Sequence, residues 1–177
     1  MYKVFINPSL YFHYTLQTLN ELTGSGRRSG TMMWGGGEFE FHDVLPTYYE
    51  LYNSSKSWYE RIDRTLEWLL DEEKPVNLLH IYFEQPDSAG HYYGIHAPEF
   101  NEQLKHIDNI FDYFLKQLAK HGLENKIDII VLSDHGMLDI DQAHLINVTE
   151  DIKSTGGKYC GTSPILQVTT NASESLS

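Results

Sequence analysis

Two short apolar runs, Leu78-Leu79-His80-Ile81-Tyr82-Phe83 and Ile127-Asp128-Ile129-Ile130-Val131-Leu132, constrain the fold of this chain more than any other feature. Each is short and nearly continuous in apolar residues, as expected of a strand buried on both faces. Between them a helix starts at Pro98. Its apolar stripe is Phe100, Leu104, Ile107, Phe111, Phe114, Leu115 and Leu118, and Gly122 is placed to end it as the C′ residue. A strand, a long helical crossover and a second strand predict a right-handed parallel unit. An earlier helix is signalled by the capping box Ser57-Trp58-Tyr59-Glu60 and by Ile62, Leu66, Leu69 and Leu70 at helical spacing. The fold class is therefore α/β, with a mainly parallel central sheet and flanking helices.

Each apolar run is followed at once by an Asp and a His. The first segment is Glu84-Gln85-Pro86-Asp87-Ser88-Ala89-Gly90-His91, and the second is Ser133-Asp134-His135-Gly136-Met137. Ligands of open parallel sheets bind outside the carboxyl ends of the strands, where both segments fall. A carboxylate oxygen and an imidazole nitrogen are donors that zinc accepts. Asp87 and His91 are expected to converge in a loop that Pro86 begins. Asp134 and His135 are adjacent and converge only on a tight turn, for which Gly136 supplies the backbone freedom. Either pair alone is more often an ordinary loop with a satisfied histidine; the two together read as halves of a two-metal site. Four donors divided between two zinc ions leave each short of three protein ligands, so further ligands are required from elsewhere. His106, on a helix, and His144, in a loop-like stretch, have no such context and read as surface residues.

The 177 residues suit one domain with a real core. A formal net charge of -12 with no basic stripe excludes nucleic acid as a nonspecific partner. A phosphate-bearing substrate is compatible with that charge, because bound divalent cations reverse the local field. No apolar run is long enough to span a bilayer, and Asn7-Pro8 interrupts the only stretch resembling a signal peptide. The lone Cys160 makes no internal disulfide, which suits the cytosol, whereas sequons at Asn53, Asn147 and Asn171 suit the secretory route. Residues 1–26 show no clear periodicity and form an unassigned N-terminal segment.

The Glu84–His91 segment resembles the Glu-x-Pro-Asp-x-x-Gly-His signature of the nucleotide pyrophosphatase/phosphodiesterase family, within the alkaline phosphatase superfamily. Ser133–Met137 resembles that family's second metal motif, and Arg28–Trp34 and Leu51–Ser55 fit its upstream pattern. The resemblance runs from about Arg27 to Pro164 and implies a partial alkaline-phosphatase-like fold. It implies that Asp87 and His91 bind one zinc ion and Asp134 and His135 the other. It further implies that Trp34 lines the pocket, that Tyr52 stacks on a nucleotide base, and that Glu38 takes the place of an Asp near the substrate. In the family mechanism a zinc-activated threonine attacks phosphorus, and water then releases a nucleoside monophosphate from the covalent intermediate.

The family's first metal-binding Asp and its nucleophilic Thr have no counterpart here, and neither does its third zinc-binding His. Thr31 lacks the Phe-Pro-Asn that follows the catalytic threonine, and Gly35 replaces the Pro usual after Trp34. Residues 27–177 are therefore expected to be the central part of a catalytic domain truncated at both ends. That domain would be complete with two Zn2+, act on a small-molecule nucleotide, and be extracellular or membrane-anchored. No catalytic residue is assigned within the chain, and no turnover is expected from it alone. The alternatives are a choline phosphodiesterase of the same superfamily and a catalytically silent nucleotide binder.

Overall fold

Strands β1 (Tyr2–Ile6), β2 (Ser29–Met32), β3 (Tyr48–Glu50), β4 (Leu78–Ile81) and β5 (Ile127–Val131) form a five-stranded sheet in the spatial order β3-β2-β4-β1-β5. Every neighbouring pair is parallel. This computed structural model describes residues 2–6, 21–23, 26–40, 42–144, 146–161 and 166–169, with the backbone alone for 2–6. The chain divides into two compact units, Met1–Leu138 and Asp139–Ser177. The first holds the sheet and the helices α1 (Trp58–Leu70), α2 (Asp87–Tyr93) and α3 (Pro98–Lys120). The second holds α4 (Thr149–Ser154) and an antiparallel pair, β6 (Lys158–Cys160) with β7 (Gln167–Thr169).

The two expected strands are present, with β1 between them. Ile6 pairs with Ile81 on one side and with Val131 on the other, so β4, β1 and β5 end level at one edge of the sheet. A run as short as Tyr2–Ile6 is too brief to register as a period in the sequence. All four residues of β4 are buried, as a strand flanked on both sides should be. The expectation that the second run is buried on both faces is corrected: Ile127–Ile129 are half-buried and Ile130 and Val131 exposed. Among the described residues β5 is an edge strand, and its apolar composition does not distinguish an edge from an interior position.

Helix α1 starts where its capping box predicts. The Ser57 hydroxyl accepts the Glu60 N–H at 3.3 Å, and Ser57 N–H donates to the Glu60 carboxylate at 2.8 Å. Ile62, Leu66 and Leu69 face the core together with Trp58 and Trp68, while Leu70 is exposed. Helix α3 carries Pro98 in its first turn and ends in a Schellman arrangement. There Leu123 N–H donates to Leu118 O at 2.8 Å and Gly122, at φ +64°, donates to Ala119 O at 3.0 Å. Its buried face is Ile110, Phe114 and Leu118, flanked by Ile107 and Phe111. Leu104 and Leu115, expected on the stripe, are exposed. Leu115 follows Phe114 by one residue, about 100° around the helix, which turns it off the buried face.

One charged side chain lies wholly inside this packing. Arg61, on the core face of α1, is 0 % exposed. Its Nη1 donates to Glu84 Oε2 at 2.7 Å and its Nη2 to Glu84 Oε1 at 3.3 Å. Trp58 Nε1 donates to Glu84 Oε1 at 3.3 Å. Burial pushes the Glu84 carboxyl up, but the Arg61 hydrogen bonds and charge, helped by Trp58, outweigh it and hold the group below the ordinary glutamate range. A carboxyl whose folded pKa is depressed adds stability that is full above its unfolded pKa of about 4.3 and lost as pH falls through its folded value. Glu84→Gln is therefore expected to flatten the acid limb of the stability–pH curve below about pH 4.3. It should also lower stability near neutrality by about 3 kcal/mol, because Arg61 stays buried without its counter-charge. Urea unfolding across the acid range measures both effects, and an unaltered acid limb would contradict this assignment.

Candidate metal centre

The chain leaves β4 and enters α2 within a few residues, and this corrects the expectation that Asp87 and His91 share a loop. They lie on successive turns of a short helix, the i and i+4 positions of one face. Gln85 makes that possible by accepting the Ala89 N–H at 3.0 Å through its side-chain oxygen, while Pro86 O accepts the Gly90 N–H at 2.9 Å. Gly94, at φ +85°, closes the helix. His91 Nε2 stands 3.4 Å from Asp87 Oδ1.

The second pair follows β5. Asp134 Oδ1 accepts the His135 N–H at 3.2 Å, and the Ser133 hydroxyl donates to His135 O. His135 Nδ1 lies 2.9 Å from Gly136 O. A carbonyl only accepts, so the neutral ring carries its proton on Nδ1 and keeps the Nε2 lone pair for another partner. That Nε2 lies 3.7 Å from Asp87 Oδ1 and 3.8 Å from Asp134 Oδ2. The Gly136 carbonyl, then the charges of Asp134 and Asp87, push the His135 imidazole above its ordinary pKa against a small opposing effect of burial.

The two segments therefore meet at Asp87 Oδ1. This oxygen is buried and accepts no hydrogen bond among the described residues, although the rest of the carboxylate is half-exposed. A desolvated carboxylate oxygen facing two imidazole nitrogens is costly unless a cation joins it. The donor chemistry thus suits zinc. Among the described residues no group of three or more such side chains is arranged to hold a metal by itself. The residues come as two pairs, each needing additional ligands.

A cleft of about 360 Å³ opens over Asp87, Asp134 and His135 and is lined also by Tyr82, Glu84, Ile95, Ser133 and Met137, whereas His91 does not line it. Tyr82, which pattern reading left within a strand, lies beyond the end of β4 and faces the site. Burial raises its phenol pKa, and Glu84, Asp134 and Asp87 raise it further. Tyr52 is 55 % exposed, with its ring 6.4 Å from that of Tyr82. It lines an adjacent groove with Tyr49, Asn53, Lys56 and Glu60. Trp34 lines neither the cleft nor the groove. It is 3 % exposed and stacks on the buried His80 at 4.7 Å. Glu38 is half-buried, and Thr31 is buried with its hydroxyl donating to Gly37 O at 3.2 Å. His106 is exposed but stacks on Trp58, and His144 pairs with Asp141. Cys160, Asn53 and Asn147 are exposed, whereas Pro164 and Asn171 lie outside the described residues.

Comparison with known proteins identifies the family. The family profile described as Type I phosphodiesterase / nucleotide pyrophosphatase matches residues 4–175. Human ectonucleotide pyrophosphatase/phosphodiesterase family member 5 is 32 % identical over 144 residues, covering 81 % of this chain and 30 % of that protein. Human bis(5'-adenosyl)-triphosphatase ENPP4 is 34 % identical over 143 residues, covering 80 % of this chain and 32 % of that protein. The solved structure of murine ectonucleotide pyrophosphatase/phosphodiesterase 5 superposes with a TM-score of 0.76 at 30 % identity, covering 89 % of this chain and 42 % of that one. An inactive form of the murine protein in complex with AMP aligns with the same TM-score of 0.76. The chain spans about a third of the length of these curated relatives. It belongs to the type I phosphodiesterase / nucleotide pyrophosphatase family, with the alkaline-phosphatase-like fold of its structural neighbours.

A contact between the two motifs fixes their spacing. A Cβ placed on Gly90 would come within 2.0 Å of Met137 Sδ and 3.2 Å of Phe100 Cε2, so Met137 packs directly on the glycine face of α2. Gly90→Ala is expected to displace the flexible end of Met137, at a cost partly offset by the gain of about 0.5–1 kcal/mol that Ala has over Gly within a helix. The same substitution in a Met137→Ala background should cost markedly less. Equal costs in the two backgrounds, measured by a double-mutant cycle of denaturant unfolding, would show that the motifs do not touch.

Proposed function

We propose, on the premise of that family membership, that the chain is part of a zinc-dependent nucleotide pyrophosphatase/phosphodiesterase. It would contribute Asp87 and His91 to one zinc ion and Asp134 and His135 to the other. The observation that carries this reading is the meeting of both motifs at Asp87 Oδ1, a buried oxygen that accepts no hydrogen bond among the described residues and faces His91 Nε2 and His135 Nε2. Zinc held there supplies Lewis-acid polarisation of a phosphoryl oxygen, in a chain whose charge of -12 would otherwise repel a phosphate.

The chain's own residues provide positioning. Donation from His135 Nδ1 to Gly136 O keeps the Nε2 lone pair directed at the cleft. Tyr52 offers an exposed aromatic face at the cleft margin, on which any nucleobase can stack. The raised pKa of Tyr82 keeps its hydroxyl protonated, and therefore a donor, at neutral pH. Trp34 acts from beneath, as packing for His80 under the strand ends. We assign no nucleophile to these 177 residues. The substrate class is a nucleotide in preference to a choline phosphodiester, a reading supported by the AMP complex of the murine relative. The exposed sequons at Asn53 and Asn147 support an extracellular catalytic domain. No helix among the described residues is long and apolar enough to cross a membrane.

Calorimetric titration with AMP and with phosphocholine, each with and without Zn2+, tests the proposal. AMP binding that requires zinc and weakens about 5- to 100-fold in Tyr52→Ala is expected, since stacking on an aromatic side chain contributes about 1–3 kcal/mol. Zinc-independent binding, or preference for phosphocholine, contradicts it. Zinc-dependent release of a nucleoside monophosphate by the chain itself would contradict the assignment of no nucleophile.

A further inference from the structure

Arg61 is the largest wholly buried side chain among the described residues and stands outside the metal donor set. It is linked to that set by a short path. Its Nη1 and Nη2 grip both oxygens of Glu84, and Nη1 also donates to Tyr82 O at 3.3 Å, beyond the end of β4. Trp58, one turn earlier on the same face of α1, adds its indole N–H to Glu84 Oε1. Glu84 thus receives three hydrogen bonds through its side chain. Its backbone carbonyl in turn accepts the Ser88 N–H at 3.5 Å and the Ser88 hydroxyl at 3.4 Å, one residue past Asp87. Every link from α1 to the first turn of α2 is therefore a directional bond.

A buried ion pair is a poor source of net stability, because desolvation offsets most of its attraction and a well-packed apolar pair often does as well. Arg61 Nε even lacks a partner among the described residues. Directional, doubly anchored bonds do supply orientation. We propose that Arg61 and Trp58 are positioning residues: through Glu84 they set the rotation of α2 and hence the direction in which Asp87 and His91 present their donors to a metal ion. The inference rests on the zinc reading of the preceding section and adds to it how the first donor pair is aimed.

The test measures zinc affinity by chelator competition on the 177-residue chain, together with metal-free thermal stability. Variants are Trp58→Phe, Arg61→Lys and Glu84→Gln, with His91→Ala to mark the site and Ile110→Val as a control for general destabilisation. Trp58→Phe removes the indole N–H together with the five-membered ring but leaves the Arg61–Glu84 pair in place, so it complements the two charge variants, and its packing loss is read from the metal-free thermal stability. Glu84→Gln and Arg61→Lys are expected to weaken zinc binding about 10- to 100-fold, as loss of a partner that orients a metal ligand does. Trp58→Phe should weaken it by a smaller factor, and Ile110→Val should leave it within about 2-fold, as a distant packing change does. If zinc binds, depends on His91, and is unaffected by Trp58→Phe, Arg61→Lys and Glu84→Gln, the positioning role is overturned while the metal site stands. If affinity follows thermal stability in Ile110→Val as closely as in the other variants, Arg61 and Trp58 are structural only. If the wild-type chain binds no zinc, or His91→Ala binds as well, both the metal site and the positioning role fall.

Discussion

The level carboxyl ends of β4, β1 and β5 are the constraint on which the site depends. Adjacent strands lie about 4.8 Å apart, so two strands separated by a third release their chains roughly 10 Å from one another. At that spacing two short segments that turn inwards bring side chains into contact, and His135 Nε2 comes within 3.7 Å of Asp87 Oδ1. The pairing of Ile6 with both Ile81 and Val131 keeps the ends flush. A slip of one residue in either pairing would move one motif along the strand direction by about 3.3 Å and turn its side chains to the other face.

Electrostatics then give the edge its purpose. Asp87, Asp134 and Glu84 gather around one cleft in a strongly acidic chain, and among the described residues Arg or Lys answers only Glu84 of the three. Glu84 is neutralised by Arg61 and belongs to the scaffold. Asp87 and Asp134 are left facing imidazoles, which bind either a proton or a metal ion. The rise in the His135 pKa comes first from its bond to the Gly136 carbonyl and then from the charges of Asp134 and Asp87, while Asp87 Oδ1 is buried without a hydrogen bond among the described residues. A divalent cation relieves both, and it also turns a field hostile to phosphate into one that attracts it.

Much of this was legible in the sequence, because the signals were local. The capping box at Ser57, the Pro98 start, the Gly122 end and the two apolar runs each depend on a few adjacent residues, and each corresponds to an observed element. The two Asp/His motifs fell after strands as their spacing indicated. What the sequence did not disclose depends on distant residues. The helical turn around Asp87 and His91 relies on Gln85 capping Ala89, where Pro and Gly alone suggested a loop. The edge position of β5 among the described residues is a property of the sheet, and so is the place of β1 between β4 and β5. The burial of Arg61 is of the same kind, since its partner lies twenty-three positions away. Trp34 reads as a pocket wall by resemblance, yet its burial against His80 comes from the layer beneath the sheet edge.

If the two motifs build one metal centre, a bound metal ion must sit between them. Crystals of the chain grown with Zn2+ and measured above and below the zinc absorption edge would give its position from the anomalous difference map. The account predicts zinc at the cleft, within about 2.0–2.2 Å of Asp or His donors drawn from Asp87, His91, Asp134 and His135. Zinc bound elsewhere, at Cys160 or at the Asp141–His144 pair with the cleft empty, would contradict it.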